Sequence, residues 1–258
     1  MKYLICLSYC GRNFCGFQVQ NKSNDPTIQG ALCDAAKSIF GVDCLVSGCS
    51  RTDSGVHANE YYATLEADAE SSVTAEKLPR ALNAFLPRDI VVSDARCVPD
   101  DFSVRRNVIS KEYEYLILNS AYPSPFYVGT AWYYGARRLD EEKMARAAAG
   151  FCGTHDFLAF ASSGLSVSDT VRTVEYVNVI RDGDFVKIRI RADGFLYNMA
   201  RAMVGTVVYA AEGKIKPAQI GEILESGNRT AAGPTVPPGG LYMTHLWYDD
   251  GIEKFECG

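Results

Sequence analysis

The spacing of apolar residues gives the order strand, helix, strand, strand, helix, strand, and then gives that order a second time. Tyr3, Ile5, Leu7 and Tyr9 alternate, which predicts a strand over 2–10. Thr27 or Asp25 caps a helix carrying Ile28, Leu32, Ala35, Ala36 and Ile39, with Pro26 near its first turn and Gly41 ending it. Strands are expected over 43–49 and about 57–67. Thr74 then caps a helix with Leu78, Ala81, Leu82 and Phe85 facing inward; Pro87 stops it, and Ile90-Val91-Val92 opens a fourth strand. In the second pass, Lys111, Tyr113, Tyr115 and Ile117 mark a strand over 109–119, and Leu139 or Asp140 opens a helix through Met144, Ala147, Ala148 and Phe151. Strands over 170–180 and 184–192 flank the hairpin signal Arg181-Asp182-Gly183-Asp184. An apolar helix over 195–211, a shorter one over 217–225 and a strand Leu241–Tyr248 complete the chain.

The order βαββαβ is the split, ferredoxin-like unit. Two of them imply an α+β fold of duplicated halves related by a pseudo-two-fold axis. Mainly antiparallel sheets would join edge to edge, leaving a central cleft. Pro99-Asp100-Asp101 is the expected boundary, giving an N-terminal half over 1–99 and a C-terminal half over 100–258.

At 258 residues, 47% hydrophobic and 22% charged, the chain carries enough apolar material for such a core. No run approaches the roughly eighteen apolar residues of a membrane span. The opening Met1–Ser8 is too short and interrupted for a signal peptide, so a cytoplasmic protein is expected. The nine cysteines are odd in number, scattered, and form no C-x-x-C pair, a pattern that suits reduced, buried thiols. His57, His155 and His245 lie far apart, without zinc spacing. The net charge of −5 argues against a simple polyanion binder. Local basic runs offset that total: Arg80, Arg88, Arg96, Arg105, Arg106 and Lys111, then Arg181, Lys187, Arg189, Arg191 and Arg201. Acids gather elsewhere, at Glu66, Asp68 and Glu70 and at Asp249-Asp250. Segregated charge serves a polyanion on one face, or simply makes two solvated surfaces.

The densest chemistry lies in Gly48-Cys49-Ser50-Arg51-Thr52-Asp53-Ser54-Gly55-Val56-His57-Ala58, the turn between the second and third strands. It holds a carboxylate, a guanidinium and three hydroxyls between Gly48 and Gly55, with the imidazole of His57 just beyond. One reading is a plain hairpin turn, with Asp53 in an Asx-type bond and Gly55 supplying the special dihedral. The other is a catalytic loop on a rigid scaffold. Asp53 has no second carboxylate near it in sequence, which weakens a metal or paired-acid role. His57 can satisfy backbone groups or touch a substrate, and Tyr113 and Tyr115 read as strand core or as site aromatics. Arg201 is the one charge in the apolar stretch 195–211, and is either paired or set on a narrow solvent stripe beside Asn198 and Gly205. A G-x-S-x-G elbow, a P-loop and a dinucleotide glycine fingerprint are all absent from the sequence. An enzyme built on this chain would rely on one carboxylate and no cofactor.

The 48–58 loop resembles the signature of the tRNA pseudouridine synthase A family, with its Arg-Thr-Asp-x-Gly-Val-His core intact. The likeness continues in order along nearly the whole chain. Tyr9 with Gly16-Phe17-Gln18 and Gln20 is similar to the family's first-strand and Gly-Trp-Gln segment. Pro87–Ile90, Asp101–Arg105 and Lys111–Tyr115 fall where the family has like segments. Phe195–Gly205 resembles its Phe-x-x-x-Met-x-Arg-x-x-x-Gly helix, and Gly240-Leu241-Tyr242 its closing strand. The chain departs from the pattern at Ser50 and Ser54, where glycine and alanine are common. It departs also at Phe17 in place of tryptophan, at Ala200 and Ala202 beside Arg201, and at Ala161, where a larger, often basic residue is frequent.

The resemblance implies the pseudouridine synthase fold and a cofactor-free, metal-free isomerisation of uridine in the anticodon stem-loop of tRNA, at positions 38–40. It makes Asp53 the nucleophile, Tyr113 the group that contacts the base and helps remove the C5 proton, and Arg201 the partner of Asp53. Arg51 would help extrude the target nucleotide, and Thr52, His57, Gln18 and Arg105 would join it in substrate binding. A homodimer is implied, with the arginine-rich segments lining the cleft. The same fold without catalysis, as an RNA-binding protein, is the alternative.

Overall fold

The computed structural model describes residues 1–20, 25–68, 73–164 and 167–249. Glu70 and Asp250, named above, and Cys257, the last of the nine cysteines, lie outside the described residues. The chain forms two compact units, Met1–Ile109 with the chain from Met243 onward, and Ser110–Tyr242.

The first unit opens with β1 (Lys2–Tyr9), α1 (Ile28–Phe40), β2 (Leu45–Gly48) and β3 (His57–Glu66), followed by α2 (Leu78–Asn83) and β4 (Ile90–Cys97). Helix α1 begins where Thr27 accepts a hydrogen bond from Gly30 N and ends at Gly41, whose φ of 72° suits a residue without Cβ. Strand β1 lies between β4 and β3, antiparallel to both, and β2 pairs with the far end of β3. The order 4-1-3-2 is that of the split βαββαβ unit, as the sequence pattern predicts. Ile5, Leu7, Leu32, Ala36, Leu65, Leu78 and Leu82 form its fully buried core.

Phe85 departs from expectation: it is 57% exposed. Helix α2 stops at Asn83, whose side chain bonds both the N–H and the C=O of Val92 on β4. That side-chain bridge turns the chain away before Phe85 can complete the helical face.

The second unit contains β5 (Val108–Leu118), β6 (Trp132–Tyr133), α3 (Glu141–Ala149), β7 (Gly153–Asp156), β8 (Val171–Asp182) and β9 (Phe185–Ala192). Helices α4 (Met199–Ala211) and α5 (Ile220–Ser226) follow, and the closing strand β10 (Leu241–Tyr248) begins at the end of this unit and runs from Met243 on as part of the first. Asp140 caps α3 through Lys143 N, and a two-residue turn with Gly183 at φ 58° joins β8 to β9. The arrangement β1-β3-β2 of the first unit recurs here as β5-β9-β8. The protein is thus mixed α+β with mainly antiparallel sheets, the repeat that the apolar pattern implies.

Three details differ from the sequence pattern. The two short strands β6 and β7 carry no alternation long enough to be read. The expected helix over 195–211 starts at Met199, because Asn198 holds φ at 63° and breaks the helical path ahead of it. A 3₁₀ turn, Pro217–Gln219, opens the helix expected over 217–225.

Among the described residues no helix is long and apolar enough to cross a membrane, and no cluster of three or more His, Cys, Asp or Glu could hold a metal ion. The eight described cysteines are all free thiols.

Candidate active site

In the first unit, Asp53 opens a four-residue turn. Val56 N donates to Asp53 O at 3.1 Å, and Gly55, third in the turn, has φ 78°, the positive value a type II turn requires there. So the bland reading of the loop, a turn, is correct as local structure. What distinguishes it is how firmly it is held from outside. Phe17 N donates to Thr52 O at 3.2 Å and Gly55 N to Phe14 O at 3.2 Å; the Ser54 hydroxyl also reaches Phe14 O at 3.3 Å. Cys49 N bonds Tyr62 O at 2.9 Å, and Arg105 Nε donates to Gly48 O at 2.8 Å.

Close approach dictates the glycines of the segment that grips this loop. A Cβ on Gly11 would sit 1.9 Å from Val56 O, and one on Gly16, already at φ 84°, 2.5 Å from Thr52 O. Neither backbone can yield, so the 11–17 segment and the Asp53 loop meet main chain to main chain. Beneath them His57 is 1% exposed, its Nδ1 accepting from Gly11 N at 3.0 Å, which assigns the ring proton of the neutral form to Nε2. Thr52 is buried too, its hydroxyl 2.8 Å from that of Tyr9. Arg51 and Gln18 are exposed, and Asp53 is half-buried. Of the candidate residues in this unit, then, Thr52, His57 and Arg105 build the loop, while Arg51, Asp53 and Gln18 reach its surface.

In the second unit, Tyr113 lies on β5 opposite Ile190 and is 6% exposed; Phe195 meets its ring edge-on with centroids 4.9 Å apart. Arg201 stands in the first turn of α4. Its Nε donates to Val236 O at 2.8 Å and its Nη1 to Asn198 Oδ1 at 2.6 Å, while Asn198 Nδ2 bonds Ser162 Oγ at 2.9 Å. The next residue, Pro237, accepts from Tyr115 OH at 2.7 Å. Burial, opposed by the charge of Arg201, pushes the Tyr115 phenol far above its ordinary range, so it stays a donor. The Val236-Pro237 strap therefore ties Arg201 to β5, two residues from Tyr113.

Helix α4 is set against that strap at Gly205, where a Cβ would fall 1.9 Å from Pro234 O. Gly233 N also donates to Thr206 Oγ1 at 2.8 Å. Several cations of the second basic run pair locally: Arg181 with Glu141 at 3.1 Å, Lys187 with Asp182 at 2.8 Å, Arg189 with Glu114 at 2.7 Å and Arg191 with Glu175 at 2.9 Å.

The family model for tRNA pseudouridine synthases matches residues 5–106 and 147–249, most of the chain. The tRNA pseudouridine synthase A of Thermoanaerobacter sp. (strain X514) is 42% identical over 245 residues, covering 95% of this chain and 98% of that protein. Those of Acetivibrio thermocellus and Methylacidiphilum infernorum are each 41% identical, over 95% and 98% of this chain and over 98% and 97% of their own lengths. The chain belongs to the tRNA pseudouridine synthase A family. Pseudouridine synthases are isomerases. The first matched segment contains the whole Asp53 loop with its gripping segment and Arg105, and the second contains Asn198, Arg201 and Val236.

Two supports of this pseudouridine synthase escape a reading of sequence alone. Asn198 is invisible because nothing marks a left-handed residue inside an apolar stretch. Tyr61, fully buried on β3, bonds to Ser50; in the strand's alternation it reads as ordinary core.

Proposed function

We propose that this pseudouridine synthase isomerises uridine in the anticodon stem-loop of tRNA, at positions 38–40, with Asp53 as the nucleophile and without metal or cofactor. The observation that carries the reading is Asp53 itself. It is a half-buried carboxylate at the head of a turn whose neighbours Thr52 and Val56 are buried, in a loop bonded on both sides to fixed backbone. A nucleophile needs that combination of an accessible head and an immobile base.

The product is an isomer, so every atom is retained. The C1′–N1 glycosidic bond breaks as the carboxylate adds to the ring or to the ribose. The uracil turns, C5 bonds to C1′, the bond to the carboxylate breaks and returns Asp53 to its starting form, the C5 proton leaves and N1 gains one. Tyr113, a strand phenol set edge-on against Phe195, is suited to take part in removing the C5 proton. Arg201 would be the counter-charge of the reacting carboxylate. Its place supports this: a cation in a helix's first turn opposes the helix dipole, yet side-chain and main-chain acceptors hold it there. Arg51, exposed between buried or anchored neighbours, is suited to fill the space a flipped nucleotide leaves; unstacking that nucleotide costs a few kcal/mol. A homodimer would extend the basic surface over two chains, and sedimentation equilibrium reads that directly.

The deciding experiment is Asp53→Asn with tritium release from C5-labelled uridine in tRNA. Turnover should vanish while tRNA binding survives. Normal release by the variant would remove Asp53 from the chemistry.

A further inference from the structure

Resting on that reading of the loop, we infer that Tyr61 is a positioning residue of the reaction, acting through Ser50 to fix where Arg51, Thr52 and Asp53 stand. Tyr61 is fully buried on β3. Its hydroxyl donates to Ser50 O and accepts from Ser50 N at 3.4 Å, so one phenol engages both polar groups of a single loop residue. A backbone residue in a solvent-facing loop ordinarily spends those groups on water. Here they are tied to the core.

The ring is fixed as tightly as the hydroxyl. It stacks on Phe17 with centroids 4.6 Å apart and meets Tyr9 edge-on at 5.5 Å. Tyr9 carries a second phenol to the loop, 2.8 Å from Thr52 Oγ1, and Phe17 N donates to Thr52 O at 3.2 Å. Ser50 and Thr52, the two neighbours of Arg51, are therefore each held by a buried tyrosine, and the two tyrosines are locked together. Gly48 completes the bracket: a Cβ there would lie 2.2 Å from the Tyr61 oxygen and 2.4 Å from the Phe17 ring. The three aromatic residues come from β1, β3 and the segment ahead of α1, so the loop's position is set by the fold and not by its own turn. A reacting group needs its supports locked in this way, since a misplacement of about 1 Å costs on the order of a hundred-fold in rate.

Tyr61→Phe separates positioning from packing, because it keeps the ring in its stack and removes only the bonds to Ser50. The expected result is a ten-fold or greater fall in the single-turnover rate of pseudouridine formation, with tRNA affinity within about two-fold of wild type. Backbone hydrogen exchange should quicken at residues 49–56 and stay unchanged in β1 and β4. A wild-type rate would overturn the inference, as would faster exchange throughout the first unit, which marks a general structural role. If the variant does not fold, Tyr9→Phe takes its place: it removes the bond to Thr52 and must show the same rate loss, and a full rate there is equally fatal. Asp53→Asn run alongside keeps the two ideas apart. An inactive Asp53→Asn beside a fully active Tyr61→Phe sinks the positioning role and leaves the nucleophile standing. Turnover by Asp53→Asn removes the reading on which the inference rests.

Discussion

Arg201 is aimed by Asn198: its Nη1 donates to Asn198 Oδ1 at 2.6 Å, and Asn198, at φ 63°, forms the bend from which helix α4 starts. Among the described residues Asn198 is the one non-glycine with positive φ. Such a conformation costs about 1–2 kcal/mol for most residues and least for asparagine or glycine. Strain of that kind gathers at functional sites. The same residue thus sets the start of the helix and the direction of its only charge.

Asn198→Gly tests that relationship. Glycine accepts the dihedral and the Asn198 side chain makes no capping bond, so the bend should survive, with melting temperature lowered only by the lost bonds to Ser162 and Arg201. The guanidinium loses an acceptor, and the rate of pseudouridine formation should fall at least ten-fold, about 1.4 kcal/mol of barrier. Asn198→Ala should lose the same activity and an additional ~1 kcal/mol of stability. An Asn198→Gly enzyme with wild-type rate would show that Asn198 does not orient Arg201.

Gly205 and Gly221 form a matched pair. Both lie in helices, where alanine is the better residue by roughly 1 kcal/mol. At Gly221 an added Cβ meets nothing within 4 Å, so Gly221→Ala should stabilise by up to about 1 kcal/mol. At Gly205 it meets the Pro234 carbonyl at 1.9 Å, and Gly233 presses the same spot from the other side. Gly205→Ala should therefore cost about 3 kcal/mol, through a forced separation of α4 from the strap that holds Arg201. Chemical denaturation of the two variants reads opposite signs.

The sequence reveals those parts of the molecule that depend on local periodicity. Thr27, Gly41 and Asp140 are legible as caps because capping is a short-range bond with a fixed residue preference. The strand and helix order follows from where Ile5, Leu32 or Ile188 must go. The Asp53 loop stands out by composition. What holds it does not, because Gly11, Gly16 and Gly48 are explained only by partners such as Val56 and Tyr61, which lie thirteen or more residues away. Phe85 fails for the reciprocal reason: a distant bond, Asn83 to Val92, ends its helix early. Arg201 is the mixed case, since its solitude among apolar residues is plain in the sequence while its acceptors, Val236 and Asn198, are supplied by a strap and a backbone bend.

Alkaline stability tests the part-buried phenol–carboxylate pairs of the second unit. Tyr134 donates to Glu212 and Tyr176 to Glu112. Burial first, then the bonded carboxylate, pushes each phenol up to about 12 from an ordinary value of 10. A folded value above the unfolded one means that their contribution is complete below pH 10 and is lost as pH rises through 12. Burial also raises Tyr62, Tyr115 and Tyr248, so the whole protein should weaken in alkali. Glu212 adds the opposite arm. Its burial raises the carboxyl, but bonds from Lys214 and Tyr134 outweigh that and hold it below its ordinary 4.5. This second contribution is present above that value and disappears as pH falls beneath it. Replacing Glu212 by Gln should flatten the acid loss, while Tyr134→Phe with Tyr176→Phe should flatten part of the alkaline one. Denaturation midpoints from pH 3 to 12, with phenolate absorbance followed in parallel, measure both arms. An alkaline slope unchanged in the double variant would assign the loss to the three other tyrosines.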